Sequence, residues 1–270
     1  DVLVLRDKKA TLHFLCEFQE LIFKVSDFFY TQGLEFKNDS SICTLNVEDT
    51  KDFFSSNIEA LESFFSEAEK ESIKLYIEDE EKPFSLQSIL LAKPLQRYLN
   101  LVTDQVFFDI IQNESLTSHF QPIIDMKTNT IYAYEALVRG VKEDGSLMYP
   151  DELFEKSKRN DYNFRLDKLC RETALKTAAT KKISQKVFIN FIPTAIYDPE
   201  FCLASTQKWA DQLEFDPSQI VFEVVETELV KDQAHLRSIL EFYREKGYKI
   251  ALDDVGEGYS SLNMLIELKP

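Results

Sequence analysis

Beyond residue 118 the hydrophobic runs of this chain come at a regular beat: "HFQPIID", "IYAYEALV", "VFINF", "IVFEVV" and "KIALDD". Short runs of this kind predict strands, and helical patterns around residues 164–180 and 231–246 separate the later ones, as in βα units feeding a parallel sheet or barrel. The first hundred residues keep a different rhythm. "VLVL" at 2–5, "ICTLNV" at 42–47 and "IKLYI" at 73–77 predict strands. Leu15, Phe18, Ile22, Val25 and Phe29 recur at three- and four-residue spacing on one helix face, with Gly33 placed to end that helix, and Phe54, Ile58, Leu61, Phe65 and Ala68 predict a second. The stretch from Pro83 to about Asn113 reads as largely helical, kinked or restarted at Pro94. The expected organisation is a small α/β or α+β sensor or interaction domain at 1–82, a connecting helix at 83–114, and a TIM-like β/α barrel domain at 115–270.

Polar residues interrupt the strands at telling places. In "YAYEALVRG", strand alternation puts Ala133, Glu135, Leu137 and Arg139 on one face, so a carboxylate and a guanidinium look into the same interior. Asn190 interrupts "VFINF", Glu223 interrupts "IVFEVV", and Asp253 and Asp254 end "KIALDD". In a β/α barrel the C-terminal strand ends converge on one mouth, where catalytic groups sit. Glu135, Asn190, Glu223 and Asp253 are thus expected to meet from four strands. Three carboxylates and an amide oxygen in one pocket repel one another unless a cation lies among them, and oxygen-only donors suit Mg²⁺ or Mn²⁺ rather than zinc. Asp254 is placed to reach a second ion, and Arg139 to clamp a phosphate bidentately. The bland alternative for Arg139 is a salt bridge at the barrel rim; for Asp167, in "RLDK", a solvated helix position competes with an approach to a ligand base.

The net charge of −16 over 270 residues argues against a surface that binds polymeric nucleic acid or anionic lipid, so an anionic substrate needs local cations. Cys16, Cys43, Cys170 and Cys202 form no CxxC pair and read as buried reduced thiols of a cytoplasmic protein. His13, His119 and His235 have no ligand-like spacing and read as structural or surface residues. No apolar run approaches the roughly 18 residues of a membrane helix. The chain opens on Asp1 rather than Met, and is expected to start inside a longer protein.

At these residues the chain resembles the EAL family of cyclic-di-GMP phosphodiesterases, a modified TIM barrel that opens cyclic di-GMP to linear pGpG with Mg²⁺ or Mn²⁺. "FQPIID" resembles the family's first strand and "YEALVRG" its Glu-Ala-Leu motif with the trailing Arg. "INFIP" resembles its Asn-x-x-Pro strand, "FEVVETE" its Glu-x-x-Glu strand, and "LDDVGEGYSSLNML" its Asp-Asp loop. The resemblance implies two metal ions on Glu135, Asn190, Glu223, Asp253 and Asp254, with Glu135, Asp253 and Asp254 serving catalysis. It implies substrate phosphate on Arg139, and Glu226 as the brace of the Asp-Asp loop, which the family also uses in homodimers. Ile192 for the common Ser, Val225 for the common Thr and Val255 for the usual Phe are departures next to these positions.

The larger departure is that the sequence stops at "ELKP", where the family continues into a strand bearing Lys-Ile-Asp and two further strands with another glutamate and a Gln-Gly motif. Five strands do not close an eight-stranded barrel, so the barrel is expected to be incomplete as given and residues 1–270 alone to be inactive. The expected function is metal-dependent hydrolysis of cyclic di-GMP, regulated by the N-terminal domain. The alternatives are a catalytically inactive cyclic-di-GMP receptor signalling through protein partners, and a pure interaction scaffold.

Overall fold

The computed structural model describes residue 5 and residues 7–80, 83–225, 233–253 and 269–270. It is mixed α/β, and backbone contacts divide it into two units, Asp1–Gln105 and Val106–Pro270.

The first unit carries β1 (Ala10–Leu15), α1 (Gln19–Thr31), β2 (Phe36–Asp39), β3 (Ile42–Val47), α2 (Thr50–Phe64), α3 (Glu67–Ser72), β4 (Lys74–Glu78), α4 (Leu86–Leu91), β5 (Lys93–Pro94) and α5 (Leu95–Thr103). Its sheet is antiparallel in the order β2-β3-β1-β4-β5. The reading of Leu15 as a helix residue is corrected: it ends β1, which pairs on both sides and buries Leu12 and Phe14. Central strands bury more than a helical spacing coincidence can. Helix α1 closes as expected at Gly33, whose φ of +68° suits glycine, and the Leu34 amide reaches back to the Phe29 carbonyl at 2.9 Å. The core joins Phe14, Leu45 and Leu75 of the sheet to Phe28, Phe54 and Leu61 of the helices. The stretch 83–114 holds α4, β5, α5 and the next helix. Helix α5 starts directly after Pro94, and its Leu95, Tyr98 and Leu99 pack into this first core. Most of "VLVL" lies outside the described residues.

The second unit follows with α6 (Gln105–Gln112), β6 (Leu116–Asp125), β7 (Thr130–Val141), β8 (Leu147–Met148), α7 (Pro150–Arg159), α8 (Asn163–Thr180), β9 (Lys186–Asn190), α9 (Pro199–Gln212), β10 (Ile220–Val225), α10 (Gln233–Glu245) and β11 (Lys249–Asp253). Among the described residues its sheet runs β11-β10-β9-β7-β6, with the short β8 on β7. Strands β7, β9, β10 and β11 are parallel neighbours, whereas β6 and β7 form an antiparallel hairpin. Two residues per pleat decide the faces. Ala136, Val187, Ile189, Phe222 and Val224 turn toward the helices and form one core with Leu175, Leu203 and Tyr243. Residues one position away, among them Glu135, Asn190, Glu223 and Asp253, therefore occupy the opposite face. Among the described residues no helix is long and apolar enough to cross a membrane.

Candidate functional site

The inner face of the second sheet brings the expected polar residues together. Asn190 and Glu223 are register partners across β9 and β10. On β11, Asp253 pairs with Val225, one pleat beyond Glu223. On the other side, the Asn190 Nδ2 donates to Glu135 Oε1 at 3.1 Å. That bond uses the amide's donor, and Asn190 Oδ1 is left buried with no hydrogen-bond partner; the same holds for Glu223 Oε2. Glu223 is only 9% exposed. Burial, then the nearby charges of Glu135 and Asp253, push its carboxyl up to about 8.

Unpaired buried oxygens are expensive, and native structures satisfy nearly all of them. Here two such oxygens lie on neighbouring strands beside two further carboxylates, a donor set that suits a hard divalent cation. Among the described residues no three His, Cys, Asp or Glu groups converge tightly enough to hold an ion by themselves. Asp254 and Glu226, the remaining expected site residues, lie outside the described residues.

Arg139 lies on the Glu135 face, four residues along β7. Its Nη1 donates to the Val138 carbonyl at 2.7 Å, and its guanidinium sits 5.2 Å from the centre of the Tyr149 ring. The Arg139 Nε is buried without a partner. Its described contacts are thus a carbonyl and a ring, not the carboxylate of a rim salt bridge. Nearby opens a cavity of about 740 Å³, lined by Leu137, Asn190 and Asp253 from the sheet and by Phe154, Lys158 and Asp167 from the helices.

Residues 105–270 match the EAL domain family. The chain belongs to that family. The EAL assignment covers the residues on which the five motifs fall. Probable cyclic di-GMP phosphodiesterase PdeB of Escherichia coli strain K12 is 29% identical over 163 residues, 59% of this chain and 31% of that protein. The chain thus spans about a third of the length of that relative. The EAL domain of FimX from Pseudomonas aeruginosa, solved with c-di-GMP, superposes with a TM-score of 0.54 at 18% identity, covering 61% of this chain and 67% of that one. The EAL enzyme Bd1971, solved with cAMP and cyclic-di-GMP, gives 0.54 at 16% identity over 97% of this chain and 72% of that one. At these identities the likeness is one of fold: an antiparallel-sheet domain followed by an EAL-type α/β region.

Within the EAL unit Asp167 is neither solvated nor alone. It is 2% exposed, and the fully buried Arg171 donates to its Oδ2 from Nε at 3.0 Å and Nη2 at 2.7 Å. Sequence reading missed Arg171. The available signal was an Asp and Arg four apart on a helix face that otherwise reads Leu166, Leu169, Cys170 and Ala174. Two of the histidines have structural partners: His13 Nε2 meets Glu78 Oε2 at 2.7 Å and His235 Nε2 the Ile196 carbonyl at 2.6 Å. All four cysteines are buried and free.

Proposed function

We propose that the EAL unit hydrolyses cyclic di-GMP to linear pGpG with Mg²⁺ or Mn²⁺, as a cytoplasmic homodimer under the control of the N-terminal sensor or interaction domain. The observation that carries the reading is the pair of unpartnered buried oxygens, Asn190 Oδ1 and Glu223 Oε2, on adjacent strands beside Glu135 and Asp253. Glu135, Asn190, Glu223 and Asp253 would hold one or two cations together with Asp254. When bound, such ions supply positive charge against the phosphodiester and acidify water for attack on phosphorus.

The remaining roles fall to side chains. Arg139, fixed by the Val138 carbonyl and the Tyr149 ring, presents its outer nitrogens to a phosphate oxygen and offsets charge as the ester is attacked. Asn190 holds Glu135 in place through its Nδ2. Glu223, whose carboxyl keeps its proton near neutral pH, gives it up when opposing charge arrives. On a chain of net charge −16, this local arrangement is what admits an anionic dinucleotide.

The test is conversion of cyclic di-GMP to pGpG by the intact protein with Mn²⁺, beside EDTA-treated protein and a Glu135→Ala variant. Product that disappears in both controls supports the enzyme. Tight binding without product makes the unit a receptor, and neither binding nor product leaves a scaffold. Control by the first unit predicts that deleting residues 1–105 from the intact protein changes turnover or oligomeric state; identical values would remove that part.

A further inference from the structure

Strand β9 ends at Asn190, and a 3₁₀ turn begins at Pro193. The two amides between them leave the regular ladder and each needs an acceptor. Phe191 N–H finds one on the next strand, the Glu223 carbonyl at 3.2 Å. Ile192 N–H finds one on the other side, Asp167 Oδ1 of α8 at 2.8 Å. The strand end that carries Asn190 is thereby held from two directions.

Asp167 is in turn held by a residue with no solvent contact. Arg171 is 0% exposed and spends both Nε and Nη2 on Asp167 Oδ2. Its Nη1 reaches α9, donating to the Cys202 carbonyl at 3.1 Å and Thr206 Oγ1 at 2.9 Å. One carboxylate oxygen is committed to the arginine and the other to the backbone two residues past Asn190. Buried ion pairs are weak sources of stability, since apolar replacements of similar volume often serve as well. This one fixes a backbone position, which an apolar pair cannot do.

We propose that Asp167 and Arg171 are positioning residues: they lock the Ile192 amide and so aim the Asn190 side chain at Glu135 and at the cation site. The inference deepens the proposed function and rests on its reading of Asn190 as a cation ligand. Partners one step removed from a metal commonly tune its affinity by about 10- to 100-fold.

Two double variants isolate the effect. Asp167→Asn with Arg171→Met removes both charges but keeps an acceptor for the Ile192 amide; Asp167→Leu with Arg171→Met removes the charges and the acceptor. In the intact protein, Mn²⁺ affinity is read from the spin-resonance signal of free Mn²⁺, and amide exchange is followed over residues 190–194. The expected result is near wild-type behaviour for the Asn pair, and for the Leu pair Mn²⁺ binding weakened by about tenfold with faster exchange. Equal Mn²⁺ affinity in the two double variants overturns the proposal, even where exchange differs.

Ile192→Pro provides a second route should the double variants fail to fold. It deletes the donated proton and leaves the ion pair intact, while turning φ from −97° toward the proline value of about −65°. About tenfold weaker Mn²⁺ binding is again expected, and unchanged binding overturns the proposal. Wild-type protein that binds no Mn²⁺ removes the cation reading and this proposal with it, whereas wild-type binding with equal affinity in the two double variants removes the proposal alone.

Discussion

Asn190 Nδ2 donates to Glu135 Oε1 across 3.1 Å, tying the end of β9 to the middle of β7 by a side-chain bond on the inner face of the sheet. The bond uses the amide's nitrogen as donor, and it leaves Asn190 Oδ1 unpartnered. Asn190→Asp replaces that donor with another carboxylate against Glu135 and Glu223. In EDTA the variant is expected to lose about 1–3 kcal/mol, from a broken buried hydrogen bond and like-charge repulsion. Mn²⁺ is expected to close much of the gap, because the added charge becomes a better ligand. Thermal unfolding of both proteins with and without Mn²⁺ measures this, and a gap indifferent to Mn²⁺ would count against the site.

The inner-face residues were legible because alternation is a strong rule. An Asn, a Glu and an Asp interrupting three apolar runs at corresponding places need a common pocket, and the sheet register brings them to one face. What alternation cannot show is strand direction. The β6–β7 hairpin depends on a turn in which Asn129 adopts a φ of +54° and its amide returns to the Asp125 carbonyl at 2.7 Å. Helix α9 was also missed. Its start is marked by Asp198, which accepts from the Glu200 and Phe201 amides ahead of Pro199, but Thr206 and Ala210 give it little apolar periodicity. Without α9 the Asp167–Arg171 pair reads as an ordinary surface pair on α8; its burial exists only once Cys202 and Thr206 pack over it. Leu15 misled in the opposite sense, since it happens to fall in phase with the buried face of α1.

Gly140, beside Arg139, is glycine for lack of space rather than for its backbone angles. A Cβ there would meet Leu153 Cδ1 at 2.8 Å, Ile110 Cδ1 at 2.9 Å and Met148 Cβ at 3.2 Å. Gly140→Ala is expected to destabilise the EAL unit by about 1–3 kcal/mol through overpacking. Shifting β7 also moves Arg139 and Glu135, so weaker cyclic-di-GMP binding is expected alongside. Chemical denaturation gives the first quantity and calorimetry the second; a variant as stable as the wild type would show that Leu153 and Ile110 yield freely.

Tyr149 is 58% exposed, yet its ring lies under the Arg139 guanidinium. A cation–π contact at such a site is worth about 1 kcal/mol, or roughly fivefold in affinity if it holds the arginine ready for phosphate. Tyr149→Leu should weaken cyclic-di-GMP binding by about that factor, while Tyr149→Phe, which keeps the ring, should leave it unchanged. Arg139→Lys should lose more than either, because an ammonium offers no planar fork. Equal binding by the Leu and Phe variants would show that the ring does not orient Arg139.

Glu223 makes stability depend on pH in a direction opposite to most carboxylates. Its folded pKa is raised to about 8, against 4.5 for an ordinary glutamate, by burial and by Glu135 and Asp253. In the cation-free protein the folded state therefore keeps a proton that the unfolded chain has already released. The stability this proton brings is whole below about pH 4.5, falls as pH rises through the interval, and is gone above about 8. The loss is on the order of a few kcal/mol. Glu223→Gln keeps the volume and abolishes the titration, so in EDTA it should match the wild type near pH 4.5 and exceed it at pH 8. Mn²⁺ should flatten the wild-type slope by compensating the ionised carboxylate, and should do nothing comparable for the variant. Urea unfolding at pH 5, 6.5 and 8 separates these cases: parallel pH profiles for the two proteins would mean that Glu223 ionises freely in the fold.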